Sequence, residues 1–242
     1  MNWIKPDWPV ANNIHAAATL RTGGLSQNTF HSLNLADHVN DDPEKVLKNR
    51  KIVSTMLSLP SEPIWLKQIH GIHAIKADQD INQIKSADAS YTDKSDAVCA
   101  VLTADCLPLL LASANGEKVA AIHAGWRGLL AGVISNTVNS IGSTDLLAWM
   151  GPAICADCFE VGKDIRDAFV TKYSKFSQAF KPHTEGTFLA DIYKLTVIEL
   201  ASIGITRVYG GGFCTVEDNQ RFYSYRRDGE LTGRMATLIW RN

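Results

Sequence analysis

The run L-P-L-L-L-A-S-A-N-G-E-K-V-A-A-I-H, from Leu107 to His123, decides the architecture. Two apolar stretches, Leu107 to Ala112 and Lys118 to His123, flank Asn115-Gly116, the dipeptide that most readily takes the positive φ angles of a tight hairpin turn. The pattern predicts two antiparallel strands. Upstream, Pro63 to Ile69 and Ala97 to Leu102 have the same short, turn-bounded texture and read as further strands. Downstream, a Gly-Trp-Arg-Gly turn precedes Leu129, Leu130, Val133, Ile134, Val138 and Ile141 at helical spacing, with Gly142 where a helix usually stops.

Farther out, Asp42-Pro43 has the cap-then-proline order that opens a helix, which should run to about Ser58 with Val46, Leu47, Val53 and Leu57 on one face. Helices are also expected over Lys163 to Tyr173 and over Asp191 to Ile203, the latter ended by Gly204. Thr206 to Tyr209, Phe222 to Arg226 and Ala236 to Trp240 read as strands. There is no internal repeat and no linker-like tract. Hairpins mixed with helices, without regular strand–helix alternation, predict a single α+β domain over residues 1–242, with mixed or antiparallel-rich sheets flanked by helices.

Composition agrees. The chain has 242 residues, 45% of them apolar and 20% charged, which is ordinary for a globular protein and excludes disorder, collagen and coiled coil. Its 24 Lys+Arg against 25 Asp+Glu give a net charge of −1, so no long-range field gathers phosphate backbones or acidic lipid. Neither nucleic acid nor membrane is an expected partner. The most apolar runs are far shorter than the ~18 residues that span a bilayer. Five cysteines, an odd number, and an N-terminal stretch without a basic patch and apolar run point to the reducing cytoplasm.

Three soft ligands stand at or near predicted strand ends: His70 in K-Q-I-H-G, Cys106 in T-A-D-C-L-P and His123 in A-I-H-A-G-W-R-G. Cys106 precedes one arm of the hairpin and His123 ends the other, so strand pairing alone can bring them together. Two imidazoles and a thiolate are preferred zinc donors, and a three-ligand set leaves the fourth tetrahedral position open, as in catalytic sites. By spacing alone, satisfied core histidines and an inert buried cysteine are the stronger reading. Around them, Trp126 and Arg127 bring an aromatic plate and a guanidinium to a helix start, Arg21 lies beside the Gly23-Gly24 turn, and Arg226 follows an aromatic run. Cys155-Ala156-Asp157-Cys158 has no second cysteine pair at zinc-ribbon spacing and is read as structural or incidental. His183-Thr184-Glu185 has the H-x-E form of zinc deaminases, but the Cys pair precedes it, so that reading fails on order. Gly210-Gly211-Gly212 fits no phosphate-binding fingerprint and is read as a strand-end turn.

With T-L-R-T-G-G from Thr19, S-L-N-L-A-D-H-V-N-D-D from Ser32, K-Q-I-H-G, L-T-A-D-C-L-P, A-I-H-A-G-W-R-G, G-P-A-I-C, F-E-V-G, S-Y-R-R-D-G and T-G-R-M-A-T in order along it, the chain resembles the laccase-domain family almost end to end. That family has been labelled multicopper polyphenol oxidase, purine nucleoside phosphorylase with adenosine deaminase activity, and peptidoglycan editing factor. The resemblance implies an α+β fold, a cytosolic enzyme, and zinc on His70, Cys106 and His123. The C-A-D-C-F-E stretch departs from adjacent cysteines in the family and leaves only the role of Cys155 open. Seven histidines and no H-x-H pair cannot furnish the trinuclear cluster of a multicopper oxidase, although two histidines and a cysteine can also bind a single copper. The expected activity is therefore zinc-dependent purine nucleoside phosphorolysis, on adenosine, inosine and methylthioadenosine, joined by adenosine deamination. Phosphate would be held by Arg21, Arg127 or Arg226 and the base by Trp126 or a tyrosine. Held against it are a hydrolase editing muropeptide nucleotides, a mononuclear copper polyphenol oxidoreductase, and a binding module with structural zinc. Oligomeric state is left open.

Overall fold

The computed structural model describes residues 3–77 and 86–242. In chain order these residues form β1 (Trp3–Ile4), β2 (Ile14–Thr19), α1 (Pro43–Leu57), β3 (Ala74–Lys76), β4 (Ala89–Thr92), β5 (Cys99–Thr103), β6 (Leu107–Ser113) and β7 (Val119–Ala124). Then come α2 (Trp126–Ala131), α3 (Val133–Ile141), β8 (Leu146–Met150), β9 (Glu160–Gly162), α4 (Lys163–Lys172), β10 (Phe180–Pro182), β11 (Thr187–Ala190), α5 (Ile192–Ser202), β12 (Arg207–Gly210), α6 (Tyr225–Asp228) and β13 (Met235–Arg241).

The hairpin forms as its turn chemistry predicts: β6 and β7 are antiparallel with Leu110 opposite Ala121, and Gly116 takes φ +72° in the turn. It lies at the centre of a six-stranded mixed sheet ordered β12-β8-β6-β7-β4-β3. A four-stranded antiparallel sheet, β1-β2-β13-β5, and a small β10-β11-β9 sheet complete the architecture. This is the expected α+β fold.

Every residue of β6 is buried, because the sheet is covered on both faces. Leu107, Leu109, Leu111, Ile122 and Ala124 face Leu129, Val133, Ile134, Val138, Leu195 and Leu200 of the helical layer. Leu110, Ala112, Val119 and Ala121 face Ile14, Ala18, Cys99, Val101 and Ile239 of the four-stranded sheet. The outer side of that sheet packs against Leu33, Leu35 and Val53 of α1 and its approach. Alternation along each strand thus sorts residues between two cores, and the order of layers is helix, sheet, sheet, helix. α1 begins as expected: Asp42 caps it by accepting from the Glu44 backbone N–H, Pro43 opens the first turn, and Ser58 ends it with a left-handed backbone.

Three expectations are corrected. The helix after Gly-Trp-Arg-Gly is broken in two, because Gly132 sits at φ +102°, closing α2 after six residues and opening α3. Pro63 to Ile69 is no strand; it crosses between sheets and makes only isolated bridges, Ile64 with Cys99 and Lys67 with Ser86. Phe222 to Arg226 is not a strand either. Phe222 closes a turn, its N–H donating to the Asp218 carbonyl at 3.0 Å, and Ser224 then caps the single turn α6 by accepting from the Arg227 N–H.

Candidate metal centre and its pocket

Cys106 immediately precedes β6 and His123 lies near the end of β7, so the hairpin register, with Pro108 opposite His123, brings both to the same end of the central strands. His70 arrives from the loop before β3. Its Nε2 lies 3.8 Å from Cys106 Sγ, its ring meets the His123 ring edge-on at 4.7 Å, and the three donor atoms all fall within 4.8 Å of one another. Zinc bonds of about 2.0–2.1 Å to imidazole and 2.3 Å to thiolate imply tetrahedral donor separations of about 3.3–3.6 Å, so a small closure of the set seats a divalent ion with one position left to the pocket.

Asp88, fully buried just ahead of β4, holds this arrangement. Its Oδ1 accepts from His123 Nδ1 at 2.8 Å and from the His70 backbone N–H at 2.9 Å, and its Oδ2 accepts from the Gly71 N–H at 2.7 Å. One carboxylate therefore fixes the His123 tautomer, turning Nε2 toward the cluster, and pins the His70 loop, whose backbone takes φ +58°. Burial opposes ionisation of Asp88, but the bonds from His123 and the loop N–H groups outweigh it and hold the carboxyl below its ordinary value. Burial likewise pushes the Cys106 thiol up, and the His123 and His70 imidazoles more than offset this, bringing it down to about 6. Burial lowers His123, and the Cys106 thiolate and Asp88 raise it to about 9. Each of the pair thus favours the charged form of the other, thiolate beside imidazolium. Gly125 touches the cluster directly: a Cβ there would lie 3.0 Å from Cys106 Sγ and from His70 Cδ2, and 3.5 Å from His123 Nε2.

The cluster opens into a cavity of about 500 Å³ whose wall pairs arginines with aromatic rings. Arg127 lies over Trp126 at 4.4 Å, Arg226 over Phe159 at 5.7 Å, and Arg234 over Tyr225 at 6.0 Å. Of the residues singled out in the sequence, His70, Cys106, His123, Trp126, Arg127 and Arg226 line this one cavity. Arg21 does not: its guanidinium donates to the carbonyls of His31 and Asn219 and stacks on Tyr223 at 4.7 Å.

Sequence reasoning missed Asp88 and Arg234. Asp105, at φ +93°, accepts from Thr215 Oγ1 at 2.6 Å and from the Arg226 N–H at 2.6 Å, so it ties the residue before Cys106 to a distant turn and to α6. Only tertiary contacts give these carboxylates their roles. Arg234 stands in the quoted T-G-R-M-A-T motif, where its position one residue before a strand was the available signal. The C-x-x-C is not isolated: Cys155 and Cys158 meet Cys214 and Glu217 in a second donor cluster.

Fold and centre together define a class: α+β proteins that present two imidazoles and one thiolate at the floor of an arginine-lined pocket. The chain matches, over residues 15–242, the model of the multi-copper polyphenol oxidoreductase laccase family, and it belongs to that family. It is 48% identical over 241 residues to a purine nucleoside phosphorylase of Pseudomonas aeruginosa, covering 98% of each chain, and 46% identical over 239 residues to the purine nucleoside phosphorylase YfiH of Escherichia coli, with the same coverage. The crystal structure of Neisseria meningitidis protein NMB0706 superposes with a TM-score of 0.96 at 45% identity over the whole of both chains. YlmD of Geobacillus stearothermophilus gives 0.91 at 26% identity, covering 100% of this chain and 97% of that one. The oxidase wording sits apart from the donor sets: among the described residues the clusters able to hold a metal are His2Cys and Cys3Glu, and neither is a trinuclear histidine site. No helix among the described residues is long and apolar enough to cross a membrane.

Proposed function

We propose that this chain is a zinc-dependent purine nucleoside phosphorylase acting in the cytoplasm, with adenosine deamination as a second activity of the same pocket. The observation that carries the reading is the convergence of His70, Cys106 and His123 at the floor of a cavity that also presents Arg127, Arg226 and Arg234. Relatives at 46–48% identity carrying the phosphorylase name support it.

His70 Nε2, Cys106 Sγ and His123 Nε2 would hold the ion. Bound there, it supplies the acidification of water, toward a pKa of about 7, that deamination needs. Phosphorolysis breaks the bond between the base nitrogen and the anomeric carbon and forms a bond from a phosphate oxygen to that carbon, releasing free base and ribose 1-phosphate. Positive charge gathers on the sugar as the bond breaks, so the anion must be held close by and in line. Arg127 and Arg226 are the phosphate holders in this reading, with Arg234 adding charge. Trp126, carrying Arg127 on its face, offers the plate for the purine. Arg21, outside the cavity wall, is left with a structural role. Asp88 keeps His123 Nδ1 protonated throughout, so this imidazole cannot turn away while substrate binds.

The test incubates metal-quantified protein with adenosine, with and without phosphate, and separates adenine from inosine by chromatography. Adenine formed only with phosphate, and lost in Cys106→Ala, establishes phosphorolysis; inosine formed without phosphate establishes deamination. Full turnover in metal-stripped protein refutes the proposal. Because the same His2Cys set also suits copper, a phenol-oxidation assay with copper-free protein accompanies it.

A further inference from the structure

Three cysteines that the pocket does not use, Cys155, Cys158 and Cys214, lie in two short turns facing one another. The first is C-A-D-C, Cys155 to Cys158, closed by the Cys158 N–H donating to the Cys155 carbonyl at 3.2 Å. The second is C-T-V-E, Cys214 to Glu217, wound so that the Asp218 N–H donates to the Cys214 carbonyl at 3.1 Å. Each turn presents two donors three residues apart, the spacing with which zinc knuckles offer their ligands. The second turn escapes a search for cysteine pairs because its other donor is a carboxylate.

The dimensions suit an ion. Zn–S bonds of about 2.3 Å set a tetrahedral S···S edge of about 3.8 Å, and Cys158 Sγ lies 3.8 Å from Cys214 Sγ. All four donor atoms are within 4.8 Å of one another. Every cysteine is a free thiol, and a disulfide would use two of these donors while leaving a third thiol and Glu217 unexplained. The surplus negative charge of three thiolates and a carboxylate around a divalent ion also has counter-charge beside it. Arg226 donates to the Cys158 and Glu160 carbonyls, and Arg227 donates to the Thr215 and Val216 carbonyls.

We propose that Cys155, Cys158, Cys214 and Glu217 form a second, structural zinc site, closed by four protein ligands and separate from the open His2Cys centre. Binding releases the thiol protons to solvent and involves no electron transfer. Its place in the fold gives it a purpose. The first turn lies between Ile154 and Phe159 of the cavity wall, and the second contains Thr215, which bonds Asp105 next to Cys106. An ion clasping both turns fastens the side of the pocket that carries Arg226.

The test counts zinc by mass spectrometry in protein made with zinc in the medium and purified under reducing conditions without chelator. Wild type should carry two equivalents, and Cys106→Ala and Cys158→Ser one each. A second measurement needs no variant of these turns: in Cys106→Ala, Cys155, Cys158 and Cys214 should resist a disulfide reagent until chelator is added. Cobalt added to the stripped Cys106→Ala protein should give an intense thiolate-to-metal charge-transfer band. Zinc-free Cys106→Ala whose three thiols react at once, or a Cys158–Cys214 disulfide in protein kept reduced, overturns the proposal. Zinc retained in Cys106→Ala but absent from the His2Cys centre of wild type would leave this site standing and remove zinc from the proposed reaction.

Discussion

Replacing Asp88 by Asn tests whether one buried carboxylate organises the metal centre. The side chain keeps its shape, but one of its two oxygens becomes an NH2 group. Oδ1 now serves His123 Nδ1 and the His70 N–H, and Oδ2 serves the Gly71 N–H and, at 3.3 Å, the Ile69 N–H. Whichever way the amide turns, two donors confront a donor. At ~1.5–3 kcal/mol for each hydrogen bond to a charged group, the gross loss is about 3–6 kcal/mol. The exposed His70 loop can move toward water and recover part of it, so a net destabilisation of about 2–4 kcal/mol is expected. Metal affinity at the His2Cys centre should fall ~10–100-fold, the usual cost of removing a carboxylate that orients a histidine ligand. Competition against a chromophoric chelator reads the affinity, preferably in a Cys158→Ser background so that one centre is titrated, and urea unfolding reads the stability. The pH dependence adds a signature. Asp88 has its pKa lowered in the fold, so its contribution is present above the ordinary carboxylate range and is lost as pH falls through the depressed value. The stability gap between wild type and Asp88→Asn should therefore close in acid. Unchanged affinity together with an unchanged unfolding midpoint near neutral pH would refute the argument.

Gly125→Ala should also weaken the centre, by ~10-fold or more in metal affinity, since its methyl would press on Cys106 Sγ and His70 Cδ2 at 3.0 Å while φ stays at −65° and the backbone unstrained; equal affinity on isothermal titration would count against it. In metal-stripped protein, the Cys106 alkylation rate should rise with pH around a midpoint near 6, because the two imidazoles stabilise the thiolate, and a midpoint above 8 would remove the thiolate–imidazolium pair. Arg127→Ala and Arg226→Ala should raise KM for phosphate ~10-fold or more with a smaller change for the nucleoside, whereas Arg21→Ala should act on stability; steady-state kinetics at varied phosphate separates them. Phe169→Ala, emptying a fully buried site against Phe176 and Phe180, should cost about 3–5 kcal/mol on chemical unfolding without altering metal content.

Much of this was legible in the residues, and the gaps have physical causes. The β6–β7 hairpin could be read from Asn115-Gly116 and its flanking apolar runs because turn chemistry and strand pattern are local. α1 could be read from Asp42-Pro43 for the same reason. The break at Gly132 was hidden because the apolar spacing runs on across it, Leu129 and Leu130 to Val133 and Ile134, while a single left-handed residue reorients the chain. Phe222 to Arg226 misled because aromatic content marks burial as readily as strand pairing, and here Phe222 and Tyr223 are buried in a turn that leads into α6. In the centre, residue type and position singled out His70, Cys106 and His123 as candidates, and only the family resemblance raised them above buried core residues. Asp88 was not singled out, since a lone aspartate carries no sign of the loop that will fold over it. Glu217 was missed because it completes a pattern normally sought in cysteine alone.

The placement of Cys106 and His123 on opposite arms at the mouth of one hairpin has a consequence for assembly. Sliding β7 by a single residue would swap its inward and outward rows, swinging the imidazole to the side that Ile122 now occupies against the helices. Two nitrogens and a sulfur can be gathered only in the native alignment, so a cation captured there would act as a latch that closes on correctly zipped strands and rejects the slipped ones.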